Sequence, residues 1–228
     1  MRKAVSSILL TRSIAENAKT KEALQGVPLE ILECPLISYH LLSVDWAKLN
    51  SCDYAIITSK FLAEHFPVNI HSKLKVLVVG EVSASILEEK NYIVELCAEN
   101  AEQIKTYLES QGILPASKII YFCGDNISTS MPYFVEQYEV YKVDYKQDLT
   151  HEQIASFQSP LSYIMLYSEN SAKTLLRLIV KYNLQSYLND TIIICISDKV
   201  GKIFNHLCDQ IVIRSTNEQM ISYVKENI

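Results

Sequence analysis

The sequence predicts an α/β protein made of two similar units, on three observations. Short apolar runs, too brief for helices, alternate with longer amphipathic stretches along the chain, as expected of parallel strands covered by helices. The chain also repeats itself. Tyr54-Ala55-Ile56-Ile57-Thr58-Ser59 is answered by Tyr163-Ile164-Met165-Leu166-Tyr167-Ser168 at an offset of 109, and Val76-Leu77-Val78-Val79-Gly80 by Ile193-Ile194-Cys195-Ile196-Ser197 at 117. Glu102-Gln103-Ile104 is answered by Glu218-Gln219-Met220 at 116, and Ile8-Leu9-Leu10 by Ile120-Tyr121-Phe122 at 112. Such offsets describe a duplicated unit of ~110 residues. Finally, 228 residues suit one large or two small domains, and no low-complexity linker divides them.

The elements follow in order. Strands rich in Ile, Val, Leu and Tyr are expected at Ser7–Leu10, Leu29–Cys34, Tyr54–Thr58, Lys75–Val79, Ile93–Leu96, Lys118–Cys123, Tyr138–Tyr145, Tyr163–Tyr167, Thr191–Ile196 and Gln210–Ile213. Helices are expected over Glu16–Leu24, Lys60–His65, Ser83–Glu89, Ala101–Ser110, Ser130–Glu136, Ser171–Tyr182, Val200–Leu207 and Glu218–Glu226. Ser59 and Ser168 stand where a strand ends and a helix begins, the place of an N-cap. The same geometry turns free N–H groups and the positive end of a helix dipole toward an anion. Gly80–Ser83 and Ser197–Val200 read alike, with Ser83 capping the helix after Gly80. Two such units leave a cleft between them, a preferred place for a ligand.

Composition excludes several functions. The five glycines (Gly26, Gly80, Gly112, Gly124, Gly201) and six prolines fall well short of average usage, and no two glycines form a GxG. The dinucleotide fingerprint and the Walker A loop are therefore absent. Net charge is −5, which argues against nucleic acid as a partner. The six cysteines show no CxxC and read as buried, reduced thiols. The five histidines, His71 among them, show no HExxH or HxH, so no metal site is expected. The basic start Met1-Arg2-Lys3 leads into an apolar run too short for a signal peptide. No stretch reaches the ~18 apolar residues of a membrane helix. The expectation is a cytoplasmic monomer without membrane attachment. Asp125, Asp144, Asp148 and Glu81 form no recognisable carboxylate pair and receive no role.

A set of short motifs adds a family resemblance. They are Leu9-Leu10-Thr11-Arg12-Ser13, Pro35-Leu36-Ile37, Asp53-Tyr54-Ala55-Ile56-Ile57-Thr58-Ser59, Val79-Gly80-Glu81-Val82-Ser83-Ala84, Ile120-Tyr121-Phe122-Cys123-Gly124-Asp125 and Val143-Asp144-Tyr145-Lys146. In this order they resemble uroporphyrinogen-III synthase over nearly the whole chain. The second Thr-Ser element is reduced to Tyr167-Ser168. The second Gly-x-x-Thr element is reduced to Ser197-Asp198-Lys199-Val200, with valine where the family has a cleft-lining threonine. The resemblance implies two three-layer α/β domains with parallel sheets. Residues 1–34 with 147–228 would form one, and residues 41–140 the other. A two-stranded antiparallel ladder of 35–40 and 141–146 would join them.

It also implies a cofactor-free cyclising hydro-lyase of haem biosynthesis. Hydroxymethylbilane would be closed to uroporphyrinogen III, with loss of water and inversion of ring D. Tyr145 matches the family's tyrosine; a phenol is protonated at neutral pH and can donate to the leaving hydroxyl. The substrate carries eight carboxylates, so binding to an acidic chain requires local fields. Arg12, Ser59, Lys60, Gly80, Ser83, Ser168, Ser197, Lys199 and Val200 are the expected binding residues, with Lys146 nearby. The degraded second-half motifs leave an alternative, a diverged binding module of the same fold without turnover. A periplasmic-type or flavodoxin-like binder of another ligand is a third reading.

Overall fold

A computed structural model of the chain describes residues 6–69, 73–110 and 117–228. His71, Gly112 and the basic start lie outside the described residues. Along the chain run β1 (Ser6–Leu10), α1 (Ile14–Ala23), β2 (Leu29–Glu33), β3 (Ile37–Leu41), β4 (Tyr54–Ile57), α2 (Lys60–His65), β5 (Lys75–Val79) and α3 (Glu81–Glu89). Next come β6 (Ile93–Ala98), α4 (Ala101–Ser110), β7 (Ile119–Gly124), β8 (Val135–Tyr145), α5 (His151–Gln158), β9 (Tyr163–Leu166) and α6 (Glu169–Lys181). The last are β10 (Ile192–Cys195), α7 (Asp198–Gly201), β11 (Ile211–Ile213) and α8 (Asn217–Glu226). The chain divides into two compact units, Met1–Ser38 with Asp144–Ile228 (unit 1) and Tyr39–Val143 (unit 2).

Unit 1 is a parallel sheet in the order β11-β10-β9-β1-β2. Its strands are apolar on both faces because both are covered. Ile8, Leu10, Tyr163, Met165 and Ile194 pack with Met220, Ile221 and Val224 of α8. The alternate residues Leu9, Ile164, Leu166, Ile193 and Cys195 pack with Phe157 of α5 and Leu175, Leu178 and Ile179 of α6.

Unit 2 has the order β3-β8-β7-β4-β5-β6, parallel from β8 to β6. Ala55, Ile57, Val76, Val78, Ile120 and Phe122 face α2 and α3; Ile56, Leu77, Tyr121 and Cys123 face α4. At the edge of this sheet Leu42 N–H donates to Val140 O, and Lys146 N–H to Leu36 O, both at 2.9 Å. Partner numbers fall as residue numbers rise, so β3 and β8 run antiparallel.

The sequence repeats map one sheet onto the other. They pair β4 with β9, β5 with β10, β7 with β1 and α4 with α8. Substituting these, the central order β7-β4-β5 of unit 2 becomes β1-β9-β10, which is the central order of unit 1.

The repeat fails between β7 and β8, and so does the helix expected over Ser130–Glu136. Pro132 disfavours the helical conformation at Met131 before it. Val135 N–H turns back to Pro132 O at 3.0 Å, and β8 starts there. Met131 and Val135, with Ile127 and Phe134, cover the sheet face in place of a helix. The helix expected over Val200–Leu207 is divided into the four-residue α7 and a 3₁₀ turn at Lys202–Phe204. α5 was not expected, although Thr150 and Gln153 form a reciprocal capping box at its start. Among the described residues no helix is long and apolar enough to cross a membrane.

Candidate functional site

In open parallel sheets ligands sit beyond the strands' carboxyl ends, where neighbouring strands send their connections to opposite faces. In unit 1 that point lies between β1 and β9. The chain after β1 leads through α1 to Leu24 on one face, whereas the chain after β9 leads into α6 on the other. In unit 2 it lies between β4 and β7. α2 packs on one face, and the loop carrying Met131 packs on the other.

The unit 1 point is densely hydrogen-bonded. Thr11, buried, donates its hydroxyl to Met165 O at 2.6 Å and pins the end of β1 to β9. Arg12 N–H donates to Asn17 Oδ1 at 3.0 Å. The Arg12 guanidinium lies 2.6 Å from the Glu16 carboxylate and 4.5 Å above the centre of the Tyr167 ring. Tyr167 donates to Asn217 Oδ1 at 2.7 Å, and burial pushes its phenol up to about 12, so it is protonated at neutral pH. Ser168 caps α6 as expected, its Oγ accepting from Ser171 N–H at 3.1 Å. Tyr145, half-buried at the end of β8, accepts a hydrogen bond on its phenol oxygen from Asn170 Nδ2 at 3.0 Å.

After β10 the arrangement is poorer. Ser197 holds the N-cap position of α7 without a side-chain cap bond, and its carbonyl accepts from the N–H groups of Val200 and Gly201 at 3.1 Å each. Val200, expected to line the site, is only 2% exposed and belongs to the apolar core. Its side chain is therefore not available to a ligand, and its N–H is already bonded. Gly201 permits this close packing, since a Cβ there would stand 2.9 Å from Ile211 Cγ2. Lys199 is exposed.

In unit 2, Ser59 occupies the N-cap position of α2 but makes no side-chain cap bond. Lys60 lies 3.7 Å from Glu64. Thr58 Oγ1 and Tyr121 OH share a hydrogen bond of 2.9 Å. Phe61 of α2 stacks on Tyr39 with ring centres 4.8 Å apart. Ser83 is not the cap of α3. It is buried inside the first turn, and Gly80 takes the cap position. Gly80 has φ +85° and ψ 138°, a region that side-chain-bearing residues avoid. Gly80→Ala is expected to lower stability by about 1–3 kcal/mol in a denaturant titration although the added methyl meets nothing, because the cost is backbone strain. An unchanged midpoint would show that the loop relaxes.

Among the described residues no group of three or more His, Cys, Asp or Glu side chains could hold a metal ion. Cys34, Cys52 and Cys123 are buried, with thiols pushed up to about 11, and Cys195 to about 12, by desolvation. Cys97, in contrast to the expectation, is exposed. Asn17, Asn170, Asn217 and the Tyr39–Phe61 stack escaped sequence reasoning. Asn170 and Asn217 act through partners 25 and 50 residues away.

Comparison with known proteins bears on this geometry. A family profile described as HEM4, uroporphyrinogen-III synthase HemD, matches residues 18–220. "Uncharacterized protein RP474" of Rickettsia prowazekii (strain Madrid E) is 27% identical over 91% of this chain and 93% of its own length. The crystal structure of uroporphyrinogen-III synthetase from Helicobacter pylori 26695 superposes with a TM-score of 0.62 at 16% identity, covering 96% of this chain and 98% of that one. That of a mutant uroporphyrinogen III synthase from the extremely thermophilic bacterium Thermus thermophilus superposes with a TM-score of 0.59 at 10% identity, covering 97% and 96%.

Proposed function

The chain belongs to the uroporphyrinogen-III synthase family, and on that footing we propose that it closes hydroxymethylbilane to uroporphyrinogen III. The reaction loses water, inverts ring D and uses no cofactor. The observation that carries this reading is Tyr145. The residue matching the family's tyrosine has its phenol oxygen held by an amide donor at the first turn of α6, which follows the central strand β9.

The chemistry has three requirements. The hydroxymethyl oxygen must be hydrogen-bonded or protonated as it leaves, so that water departs and an electrophilic azafulvene remains. Tyr145 supplies that O–H. Ring D must attack through its substituted carbon, passing through a spiro intermediate whose resolution inverts the ring. The chain must be curled so that this closure outruns the unassisted one, which gives the type I isomer; that part is orientation.

The eight carboxylates meet a chain of net charge −5, so they are held by local groups. α3 and α6, with nine and thirteen residues, are long enough to present a useful positive end. Gly80 and Ser83 mark the first of these, and Ser168 the second. α2 and α7 are shorter, so Ser59, Lys60, Ser197 and Lys199 contribute through their side chains. Arg12 offers a guanidinium half-neutralised by Glu16.

The buried Val200 and the four-residue α7 favour a second reading, a binding module of this fold without turnover. Supplying hydroxymethylbilane and resolving the product isomers separates the two. An excess of type III over the protein-free control is expected. Type I alone would leave the binding module.

A further inference from the structure

We propose that Asn170 is the positioning residue for Tyr145: its side-chain amide fixes the phenol as a hydrogen-bond donor. This rests on the cyclase reading above and names a residue that the sequence motifs do not contain.

Both partners stand on fixed backbone. Asn170 is the second residue of α6, whose start is set by the Ser168 cap and by a 2.8 Å bond between the Ser168 and Ser171 hydroxyls. Tyr145 ends β8, where Lys146 N–H is bonded to Leu36 O. The segment leaving Tyr145 is then held along α6. Arg177 donates to the carbonyls of Lys146 and Gln147. Lys181 donates to Gln147 O at 3.2 Å and pairs with Asp148, which also accepts from Tyr182 OH at 2.8 Å. Asn170, Arg177 and Lys181 recur at helical spacing on the exposed side of α6, while Leu175, Leu178 and Ile179 face the core. Asn170 is thus the first member of a row that holds the strand exit.

The polarity of the contact decides the chemistry. An amide N–H can only donate, so the phenol oxygen accepts from Asn170 and its single proton is directed elsewhere. As Tyr145 gives that proton toward the leaving hydroxyl, negative charge grows on an oxygen already facing a donor, where a hydrogen bond strengthens.

The decisive variant is Asn170→Asp. It keeps the shape, and an acid is favourable in the first turn of a helix. Its carboxylate reverses the bond, because it accepts the Tyr145 O–H instead of donating. Expected for Asn170→Asp is a fall of about 10²-fold or more in kcat, with KM nearly unchanged and a melting temperature at or above that of the parent. Asn170→Ala should lose less, about tenfold or more. In the Tyr145→Phe background, which has no phenol oxygen, neither Asn170 change should reduce the residual rate further. A readout independent of activity is the Asn170 side-chain amide signal in a ¹H–¹⁵N spectrum, assigned by its loss in Asn170→Ala; it should move in Tyr145→Phe. An amide signal unmoved by Tyr145→Phe overturns the contact. Parent-like kcat in Asn170→Asp, or equal losses with and without the phenol, overturns the positioning role while the cyclase reading stands. Absence of type III product from the parent protein overturns both.

Discussion

Tyr145→Phe is expected to lower the rate of type III formation by about 10²–10⁴-fold, the usual contribution of one general acid. The substitution removes one oxygen and leaves the ring. Tyr145 is half-buried at a strand end, so the packing of the ring is kept. Asn170 is exposed, and water can take the place of the lost acceptor. The stability cost is therefore about 1 kcal/mol, the net worth of one hydrogen bond. Substrate affinity should change by less than about threefold, since the interaction is strongest in the transition state. The product ratio carries a second signal. Any azafulvene formed without assistance closes to type I, so the fraction of type III should fall together with the rate. Single-turnover kinetics with isomer analysis measures both quantities. Unchanged turnover would remove Tyr145 from the mechanism.

What the sequence revealed of the fold followed from burial. The strand interiors were legible because residues such as Ile56, Leu77, Ile164 and Ile194 are wholly buried in covered sheets, which makes them continuous apolar runs. The duplication carried further than the single elements, since its pairings reproduce the order of the three central strands in both sheets. The units differ between β7 and β8. There Met131, Phe134 and Val135 form an apolar cluster that reads as a helix, while Pro132 disfavours the helical conformation at Met131 and Val135 N–H turns back to Pro132 O.

The candidate site was legible where its residues follow a strand in sequence, as Arg12, Ser59, Gly80 and Ser168 do. It was illegible where a contact joins distant segments, as Asn170 to Tyr145, or where a helix turn decides which side chain is buried, as at Val200. The small number of glycines also has a structural side. Gly80 serves a backbone conformation, whereas Gly124 and Gly201 serve packing. A Cβ on Gly124 would stand 2.5 Å from the Tyr141 ring. Of the four described glycines, only Gly26 and Gly80 face open space.

Phe122→Ala is expected to destabilise unit 2 by about 3–5 kcal/mol, the range for truncating a buried aromatic ring. Phe122 is wholly buried on β7. Its ring lies 5.3 Å from Phe66, 5.8 Å from Tyr138 and 6.0 Å from Trp46, centre to centre. These partners come from a 3₁₀ turn, the end of α2 and β8, so one truncation loosens three attachments of the sheet. Their anchoring in backbone limits collapse into the space, which places the cost toward the upper part of the range. Against a typical domain stability of about 5–15 kcal/mol, such a loss leaves unit 2 marginal. Trp46 is the only tryptophan in the chain and packs against Phe66 and Phe122. Its fluorescence therefore follows the unfolding of unit 2. A urea titration should show the midpoint falling with the slope nearly unchanged. Phe122→Leu, which refills most of the space, should recover more than half of the loss. Equal midpoints for the parent and Phe122→Ala would mean that the aromatic cluster does not hold this sheet together.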